Sequence, residues 1–588
     1  MYVYNKTGTM VSGPVTNLQV YERQYATDAI NGEEVLLEVI IPKETFKDFD
    51  IQINNVIHGF KNDVVTPRAY NDSETCNIEI NCTTGWENER DAVAIIFTTS
   101  GGTASGVLVN NGCQDLRSFF LTAEHVYSLG GSLANWVFRF NYDSPNPSTP
   151  NCRGSDASSW LTYSGATLKA SNTTTDFALL ELNSSVIGQS TLALAGWDRS
   201  STTPNSGTAI HHPRGDVKKI SGSTGTPTLT GQLGGTGTDY IRVVWGVGTT
   251  EPGSSGAPLF NTDHRMAGQN SSGNGACPTT GWTTYGRFFI SWTGGGTNST
   301  RLSNWLGGAS SPTNTNTIRS PYVSASTNAP LCNSSSRTFT LNNLISGRTA
   351  TWSVSPSSLV VTSSGSGTSA ALQASVSGSG LATITFTISA ATDCNPILVT
   401  KQVWIGLPSF TMTGSNYLCT NQPGAAFLNG SGGTDFTAQG VTSVSWTYYG
   451  ALQLFSTSGQ SAYYNGASSP GTGIIYANNV TNACGSSSPS MFFQVVSCLQ
   501  SGDISMKVSP NPSMDFADIE IKKESLASDV KLENGDLTIY DKLGKAVLST
   551  KFNGNREKID ISRLKPDIYF VEIVFENTRI REKILIAR

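Results

Sequence analysis

The sequence predicts an all-β protein built from several domains. Only 14% of the 588 residues are charged, whereas 59 are glycine, and Gly-, Ser-, Thr- and Asn-rich stretches separate short apolar runs. This composition favours short strands and turns over long helices. A chain of this length should hold about three to five domains. We therefore expect a series of β-domains.

Charge and hydropathy exclude several kinds of partner. The net charge is only −5, which gives no reason to expect a nucleic-acid or anionic-membrane partner. No run of about 20 apolar residues is present, so we expect no transmembrane segment. We expect a monomer that needs no metal and no other cofactor. Its cysteines call for an oxidising compartment, so we expect the natural protein to carry a signal peptide that this chain lacks.

Residues 1–70 are predicted to form a separate unit. The segments 34–41 and 51–57 are rich in β-branched and aliphatic residues and are predicted strands. His58 follows the second of them, and we expect it to end a strand without a catalytic role.

The most informative segment is Glu251-Pro-Gly-Ser-Ser-Gly-Ala-Pro-Leu-Phe260. A serine hydroxyl is a useful nucleophile only where the backbone exposes it and aims amides at the developing oxyanion. Gly253 and Gly256 permit such a turn around Ser255, and the amides of Gly253 and Ser255 would form the oxyanion hole. Taken alone, the segment is more typical of a Gly/Ser surface loop.

Two upstream segments favour the catalytic interpretation. The apolar run from Phe119 leads into a Thr-Ala-Glu-His turn ending at His125, and Asp176 opens a second apolar strand. Histidine, aspartate and serine in this order are typical of chymotrypsin-like proteases. The alternatives are a structural histidine that caps a strand and a carboxylate at a strand edge. The chain has only five histidines: His58, His125, His211, His212 and His264.

The chain resembles the lysyl endopeptidase-like branch of the chymotrypsin-fold serine proteases, from about Cys76 to Trp305. The matching segments are Phe120-Leu-Thr-Ala-Glu-His125, Thr175-Asp-Phe-Ala-Leu-Leu-Glu-Leu182, Ala195-Gly-Trp-Asp-Arg199, Ala209-Ile-His-His-Pro213, Thr250-Glu-Pro-Gly-Ser-Ser-Gly-Ala-Pro258, Tyr285-Gly-Arg-Phe288 and Ser291-Trp-Thr-Gly-Gly-Gly296. The resemblance implies a chymotrypsin-like double β-barrel over 71–310. It makes His125 the general base, Asp176 its orienting carboxylate and Ser255 the nucleophile.

Two features depart from the relatives. Ser254 stands where chymotrypsin has the aspartate that pairs with the new N-terminus, so activation must use another route. Lysine-specific members carry an acid at the position of Thr283, and a Trp–His pair at the positions of Gln232 and Ser271. The uncharged pocket implied by these three residues predicts that P1 preference is not strictly for lysine. The alternative is that another acid, Asp263 or Asp239, reaches the pocket.

The resemblance also implies disulfides and processing. It pairs Cys76 with Cys277 and Cys82 with Cys152, and it leaves Cys113 unpaired. A third family bridge is absent, because its two positions are occupied by Ala104 and Val126. Residues 1–70 would then be the C-terminal part of a pro-segment that is removed within about 68–72.

Two similar units follow, predicted at 311–406 and 407–500. Each has a Cys–Trp–Cys order typical of immunoglobulin-type sandwiches. We therefore expect Cys332–Cys394 around Trp352 and Cys419–Cys484 around Trp446, with Cys498 left over. These units resemble the PKD-like and Ig-like spacers of bacterial exoenzymes. Between positions 306 and 499 the charged residues are only Arg319, Arg337, Arg348, Asp393, Lys401 and Asp435.

Charge returns abruptly in residues 501–588. The ordered motifs are Lys507-Val-Ser-Pro-Asn-Pro512, Leu537-Thr-Ile-Tyr-Asp-Lys-Leu-Gly-Lys545, Ile559-Asp-Ile-Ser-Arg-Leu564, Ile568-Tyr-Phe-Val-Glu-Ile573 and Arg579-Ile-Arg-Glu-Lys-Ile-Leu-Ile586. They resemble the C-terminal sorting domain of the type IX secretion system, a β-sandwich. This implies contact with that secretion machinery and a secreted or cell-surface location reached through the outer membrane. The alternative is an ordinary terminal β-sandwich.

Two function classes remain open from the sequence. The first is a secreted serine endopeptidase that acts on protein or peptide substrates. The second is a surface adhesin in which a protease scaffold is catalytically inactive and the Ig-like modules bind. The intact set of Ser255, His125, Asp176 and both turn glycines favours the endopeptidase.

Overall fold

A computed structural model describes most of the chain after residue 71. The described residues are 1–8, 10–12, 15, 25–28, 30, 34–39, 50–53, 56, 72–144, 160–277, 281–308, 311–376, 378–414, 416–496, 504–523, 535–541, 546–575 and 578–587. Strand accounts for 50% and helix for 8%, which confirms the all-β prediction.

A small sheet forms in the N-terminal segment. Its strands, in the order β2-β1-β3, are β1 (Tyr2–Asn5), β2 (Met10–Ser12) and β3 (Val35–Glu38). Part of the predicted strand over 34–41 is therefore present. The prediction for 51–57 is wrong for the residues described there, because 51–53 and 56 are not in a strand. Their side chains are exposed, so no neighbouring layer covers them. His58 lies outside the described residues.

The first half of the next domain is a seven-stranded antiparallel sheet that curves into a half-barrel. The chain first forms β4 (Ile78–Glu79), which belongs to the second half of the domain. The seven strands of this sheet are β5 (Val93–Phe97), β6 (Thr103–Leu108), β7 (Phe119–Ala123), β8 (Val137–Phe140), β9 (Leu161–Ser164), β10 (Ala166–Asn172) and β11 (Phe177–Leu182). The sheet order is β10-β11-β7-β6-β5-β8-β9. All five residues of β7 are buried, because the strand is covered on both faces.

The second half is a closed barrel. Its strands are β13 (Thr208–His211), β14 (Lys219–Ser223), β15 (Thr228–Thr230), β16 (Tyr240–Val247), β17 (Pro258–Phe260), β18 (Met266–Gly273) and β19 (Trp282–Arg287), preceded by the short β12 (Ala193–Leu194). The order is β15-β16-β19-β18-β17-β13-β14-β4, and pairing of β16 with β14 closes six strands into a barrel. The predicted double-barrel fold is confirmed.

In the part of the chain that the structure describes, four short helices accompany the barrels. They are α1 (Glu87–Arg90), α2 (Glu124–Leu129), α3 (Phe288–Thr293) and α4 (Ser303–Leu306). The helix α2 begins directly after β7, and the turn that precedes β17 belongs to the other barrel. Because Gly256 in this turn lies against Thr122 and Ala123 at the end of β7, the two halves bring the segments of His125 and Ser255 close together.

The region after residue 311 contains two pairs of sheets. After β20 (Ile318–Arg319), which pairs with β12, come β21 (Tyr322–Ala325), β22 (Ser336–Asn342), β23 (Ala350–Ser355), β24 (Ser364–Ser366), β25 (Ser369–Gln373), β26 (Gly380–Ile388) and β27 (Ile397–Ile405). The strands β21 to β27 form the first pair of sheets, with the orders β21-β22-β25 and β24-β23-β26-β27. The second pair uses β28 (Phe410–Gly414), β29 (Tyr417–Cys419), β30 (Pro423–Gly430), β31 (Ser443–Gly450), β32 (Leu452–Ser458), β33 (Ser461–Gly466), β34 (Gly471–Asn482), β35 (Gly485–Ser487) and β36 (Ser490–Val496). Its sheets are β28-β30-β33-β32 and β29-β36-β34-β31, with β35 paired to β34.

The C-terminal segment forms two further sheets that share one apolar core. Its strands are β37 (Ile504–Ser509), β38 (Phe516–Lys523), β39 (Gly535–Asp541), β40 (Ala546–Phe552), β41 (Arg556–Asp560), β42 (Asp567–Phe575) and β43 (Thr578–Ile586). The sheet orders are β37-β38-β41 and β40-β39-β42-β43.

The double-barrel domain contains the disulfide Cys76–Cys277. Cys82 is also disulfide-bonded. Its expected partner Cys152 lies outside the described residues. Cys113 is not a free thiol, contrary to the sequence prediction, because it forms a disulfide with Cys394.

The predicted bridge Cys332–Cys394 is wrong. Leu331 pairs with Ile405 at the end of β27, whereas Cys394 lies in the loop just before β27 begins. Nine residues of strand separate the two ends, which is about 26 Å at 3.3 Å per residue. Cys394 is therefore too far from Cys332 to bond it, and it bonds Cys113 of the double-barrel domain instead.

The predicted bridge Cys419–Cys484 is wrong for the same geometric reason. Cys419 pairs with Val496, and Val495 lies opposite the first residue of β34, whereas Cys484 follows the last residue of that strand. Cys484 instead bonds Cys332. Cys419 is itself disulfide-bonded. The two corrected bridges link the double barrel to the first pair of sheets, and the first pair to the second.

Candidate active site

His125 and Asp176 are brought together by strand register. Phe177 lies opposite Ala123 in the pairing of β11 with β7, so the residue before β11 faces the start of α2. Asp176 Oδ2 lies 2.7 Å from His125 Nδ1, and Asp176 Oδ1 accepts the His125 backbone N–H at 2.9 Å. Asp176 adopts a left-handed backbone conformation with φ of 56°. One carboxylate thus holds both the ring and the backbone of His125.

The charge state of His125 depends on opposing effects. Partial burial disfavours the imidazolium, but the hydrogen bond and negative charge of Asp176, together with the charge of Glu124, outweigh it. The net effect raises the pKa of His125 above its ordinary value of 6.5. Asp176 itself is buried, so little water screens it from the ring.

The turn around Ser255 depends on two glycines in the left-handed region. Gly253 has φ of 96° and Gly256 has φ of 82°. A Cβ atom at Gly256 would come closer than 3 Å to atoms of Thr122, Ser105 and Ala123. The turn therefore packs directly against β7, two residues before His125.

The backbone amides of this turn point in alternate directions. Ser254 N–H donates to Glu251 O at 2.9 Å, and Gly256 N–H donates to Asn270 O at 2.9 Å. Among the described residues, no acceptor receives the N–H groups of Gly253 or Ser255. These are the two amides expected to form an oxyanion hole, and they are free to bind an external acceptor.

Ser255 is anchored by its backbone, since its carbonyl accepts Ser105 N–H at 2.9 Å. Its hydroxyl makes no hydrogen bond to any residue the structure describes, so the contact from Ser255 to His125 is not made here. Catalytic hydrogen bonds in unliganded enzymes are often long and tighten when substrate binds.

Thr283 is the second residue of β19 and lies between Val243 of β16 and Gly273 of β18. Its side chain is fully buried. Its hydroxyl accepts Trp245 Nε1–H at 2.8 Å and shares a 2.6 Å hydrogen bond with the Thr250 hydroxyl. The sequence did not single out Trp245 or Thr250. For Thr250, the only indication in the sequence is that it directly precedes Glu251 and the serine-containing segment.

The other predicted specificity residues are placed differently. Gln232 is exposed, in a turn between β15 and β16, whereas Ser271 is nearly buried in β18, two residues before the partner of Thr283. Asp263 is largely exposed and lies 3.5 Å from Arg265, so it does not serve as an acid buried beside Thr283.

Glu251 has a structural role that was not predicted from the sequence. This carboxylate is almost completely buried, and its Oε2 accepts Asn77 Nδ2–H at 2.7 Å and Glu74 N–H at 2.9 Å. Asn77 Oδ1 also accepts Thr249 N–H at 3.0 Å. The segment that follows the predicted cleavage stretch therefore braces the loop that leads to Ser255. The one indication in the sequence was that Glu251 is a charged residue at the start of a turn otherwise made of glycine, proline and serine.

The described residues contain no group of three or more His, Cys, Asp or Glu side chains placed to hold a metal. Within the same part of the chain, no helix is long and apolar enough to cross a membrane.

Comparison with known proteins finds a similarity for the segment that contains the site. Residues 70–288 match the family model described as lysyl endopeptidase, C-terminal domain. A curated lysyl endopeptidase from Pseudomonas aeruginosa is 28% identical, over 40% of this chain and 54% of that protein. The chain thus spans about half the length of this curated relative.

Solved protease structures are also similar. The Vibrio cholerae VesB protease is 13% identical with a TM-score of 0.24, over 54% of this chain and 97% of that chain. A Glu endopeptidase is 14% identical with a TM-score of 0.24, over 38% and 95%.

Residues 507–587 match the secretion system C-terminal sorting domain. This is the type IX sorting domain that the charged C-terminal motifs predicted. The domain supports a secreted or outer-surface location for the protein.

Proposed function

We propose that this protein is a secreted serine endopeptidase that hydrolyses peptide bonds through Ser255, His125 and Asp176. The observation that carries the proposal is that two arrangements lie side by side, because the turn around Ser255 packs against the strand that leads to His125. One is the 2.7 Å contact between Asp176 and His125. The other is a turn whose Gly253 and Ser255 amides have no acceptor among the described residues. A general base and an oxyanion hole are what acyl transfer from a serine requires.

In the proposed mechanism each residue has its own step. His125 Nε2 takes the Ser255 proton as Oγ attacks the scissile carbonyl, and Asp176 fixes the tautomer through Nδ1–H and stabilises the imidazolium. The amides of Gly253 and Ser255 donate to the oxyanion. His125 then protonates the leaving amine, and the acyl-enzyme is hydrolysed by water that is activated in the same way.

The pocket supports cleavage that is not restricted to lysine. Thr283 is buried and uncharged, and its hydroxyl already accepts the indole N–H of Trp245. A lysine ammonium entering beside it would lose water and gain no counter-charge from Thr283, which is unfavourable by several kcal/mol. Neutral P1 side chains do not carry this penalty. Mapping cleavage sites in a mixed proteome digest tests the proposal, and cleavage almost exclusively after lysine contradicts it.

We also propose the division of the chain into functional parts. Residues 1–70 act as the end of a pro-segment, 71–310 as the protease, 311–406 and 407–500 as Ig-like modules, and 501–588 as the sorting domain that contacts the type IX machinery. The mature enzyme then lacks both terminal parts. Intact mass of protein recovered from the medium tests this, and a fully active 62.4 kDa species contradicts it.

The Ser255→Ala variant tests the nucleophile. Loss of a triad serine lowers kcat by about 10⁶ in such enzymes, while the fold should persist because only a hydroxyl is removed. Retention of more than about 1% of the wild-type kcat would remove Ser255 from the mechanism. A folded wild-type chain without peptidase activity would instead favour the inactive adhesin.

A further inference from the structure

A buried histidine lies under the turn that carries Ser255. His211 ends β13, has no exposed surface, and places Nδ1 2.8 Å from Ser254 Oγ and Nε2 3.0 Å from Ser221 Oγ. Ser254 Oγ also accepts Glu251 N–H at 3.1 Å, and Ser221 Oγ donates to Thr249 O at 3.2 Å. His211 thus joins both ends of the segment 249–254.

The partners determine which proton each atom carries. Because the Ser221 hydroxyl uses its proton on Thr249 O, its oxygen accepts from His211 Nε2–H. Nδ1 is then the acceptor, and the Ser254 hydroxyl donates to it. The chain of bonds therefore requires the neutral Nε2–H ring. Burial favours the same state, since it lowers the pKa of His211 to about 3, with a smaller contribution from Lys219.

We propose that His211 is a positioning residue that holds the oxyanion amides through Ser254, in the role that an ion pair at position 254 has in chymotrypsin. The proposal rests on the proposed function. The His211–Ser254 bond fixes the residue between the two amides, and Ser254 N–H is turned inward to Glu251 O. With that amide directed inward, the amides of Gly253 and Ser255 face outward.

This arrangement needs no charge at position 254. Lys219, opposite His211 in the β13–β14 pairing, is 2.6 Å from Glu79 and 3.2 Å from Asp216, so its charge is compensated elsewhere. A neutral hydrogen bond under the turn does not require a free N-terminus as partner. The oxyanion loop is therefore held by residues of the second barrel themselves.

Three variants and one control test the proposal. His211→Leu removes both ring contacts, His211→Asn keeps an acceptor near Nδ1, and Ser254→Ala removes the donor. His264→Asn is the matched control, because His264 is partly exposed and hydrogen-bonds Glu89, away from the turn. The readouts are kcat and KM on a peptide amide, and the Ki of a peptide aldehyde whose hemiacetal oxygen occupies the oxyanion site.

Misplacing a reacting group by about 1 Å can cost about 10²-fold. We therefore expect His211→Leu and Ser254→Ala each to lower kcat by about 10²-fold, with KM within about twofold. The aldehyde should bind more weakly by a similar factor. His211→Asn should stay within about tenfold of the wild type, and the Leu/Ala double variant should lose no more than either single variant.

Wild-type kcat in folded Ser254→Ala overturns the proposal even if His211→Leu does not fold. Equal losses in His211→Asn and His211→Leu, or additive losses in the double variant, overturn it as well. Activity that survives Ser255→Ala is a different result, because it contradicts the proposed function itself.

Discussion

His125 illustrates how a single carboxylate sets both geometry and charge. Asp176 binds the backbone N–H and the ring of the same histidine, so the imidazole cannot rotate without losing a buried hydrogen bond. The same contact opposes the effect of burial and raises the pKa of His125 above 6.5. His125 is therefore mostly neutral, and able to act as a base, only at a pH above this raised pKa.

The pH dependence of kcat/KM should reflect this shift. As pH falls through the pKa of His125, the ring is protonated and cannot act as a base, so the acid limb should have its midpoint above 6.5. In Asp176→Asn the two larger raising effects are lost while burial and the smaller effect of Glu124 remain, so the midpoint should move down, and kcat should drop by about 10⁴. A wild-type midpoint below 6.5 would contradict the role of Asp176.

Thr283 provides a second test at the residue scale. In Thr283→Asp one carboxylate oxygen can accept the Trp245 N–H and the other can meet a lysine ammonium. A hydrogen bond between charged groups contributes about 1.5–3 kcal/mol, so kcat/KM for lysine substrates should rise about 10–100-fold. Thr283→Asn has the same shape without the charge and should show no such gain. A gain in both variants would exclude the electrostatic explanation.

At the scale of elements, the site depends on contact between a turn of one barrel and a strand of the other. Gly256 lies against β7 so closely that no Cβ fits, and its φ is positive. This contact, rather than any hydrogen bond of the Ser255 hydroxyl, sets how near Ser255 approaches α2.

The Gly256→Ala variant should therefore lose both stability and activity. Gly225 is a matched control, because it also has positive φ, 86°, but has nothing within 4 Å of its Cβ position. Backbone strain alone costs about 1–2 kcal/mol in either variant. Gly256→Ala should unfold at a lower temperature than Gly225→Ala and show kcat reduced by at least about 10²-fold. Equal behaviour of the two variants would mean that the contact with β7 is unimportant.

Much of the candidate site could be predicted from sequence because its residues lie in short ordered segments. The apolar strand before His125, the acid before β11 and the glycines around Ser255 each have a local signal. The network under the turn does not, because the partners of Glu251 and His211 come from segments far away in the chain. For the same reason, the two Cys–Trp–Cys orders identified four cysteines that do form disulfides, but predicted the wrong partner for each of them.

For the whole molecule, the corrected disulfides change how the parts are connected. Cys113–Cys394 ties the double-barrel domain to the first pair of sheets, and Cys332–Cys484 ties that pair to the second. Buried apolar residues of the half-barrel and of the first pair of sheets also belong to one cluster. Both pairs of sheets are therefore linked covalently to the double-barrel domain.

Peptide mapping without reduction tests this connectivity. We expect linked peptides that contain Cys113 with Cys394 and Cys332 with Cys484, and a nick between 310 and 320 should release no module until reductant is added. A linked peptide that contains Cys332 and Cys394 would show that the bridge lies within the first pair of sheets, and would contradict the covalent links between the parts of the chain.

The proposed function requires Ser255 to be an activated nucleophile. The direct measurement is mass-spectrometric localisation of a fluorophosphonate adduct on the secreted protein, with His125→Ala as the control that keeps the serine but removes its base. We predict stoichiometric modification of Ser255 in the wild type and little or none in the control. An unmodified Ser255 in folded protein, or equal labelling of both proteins, would contradict the assignment of Ser255 as a nucleophile that His125 activates.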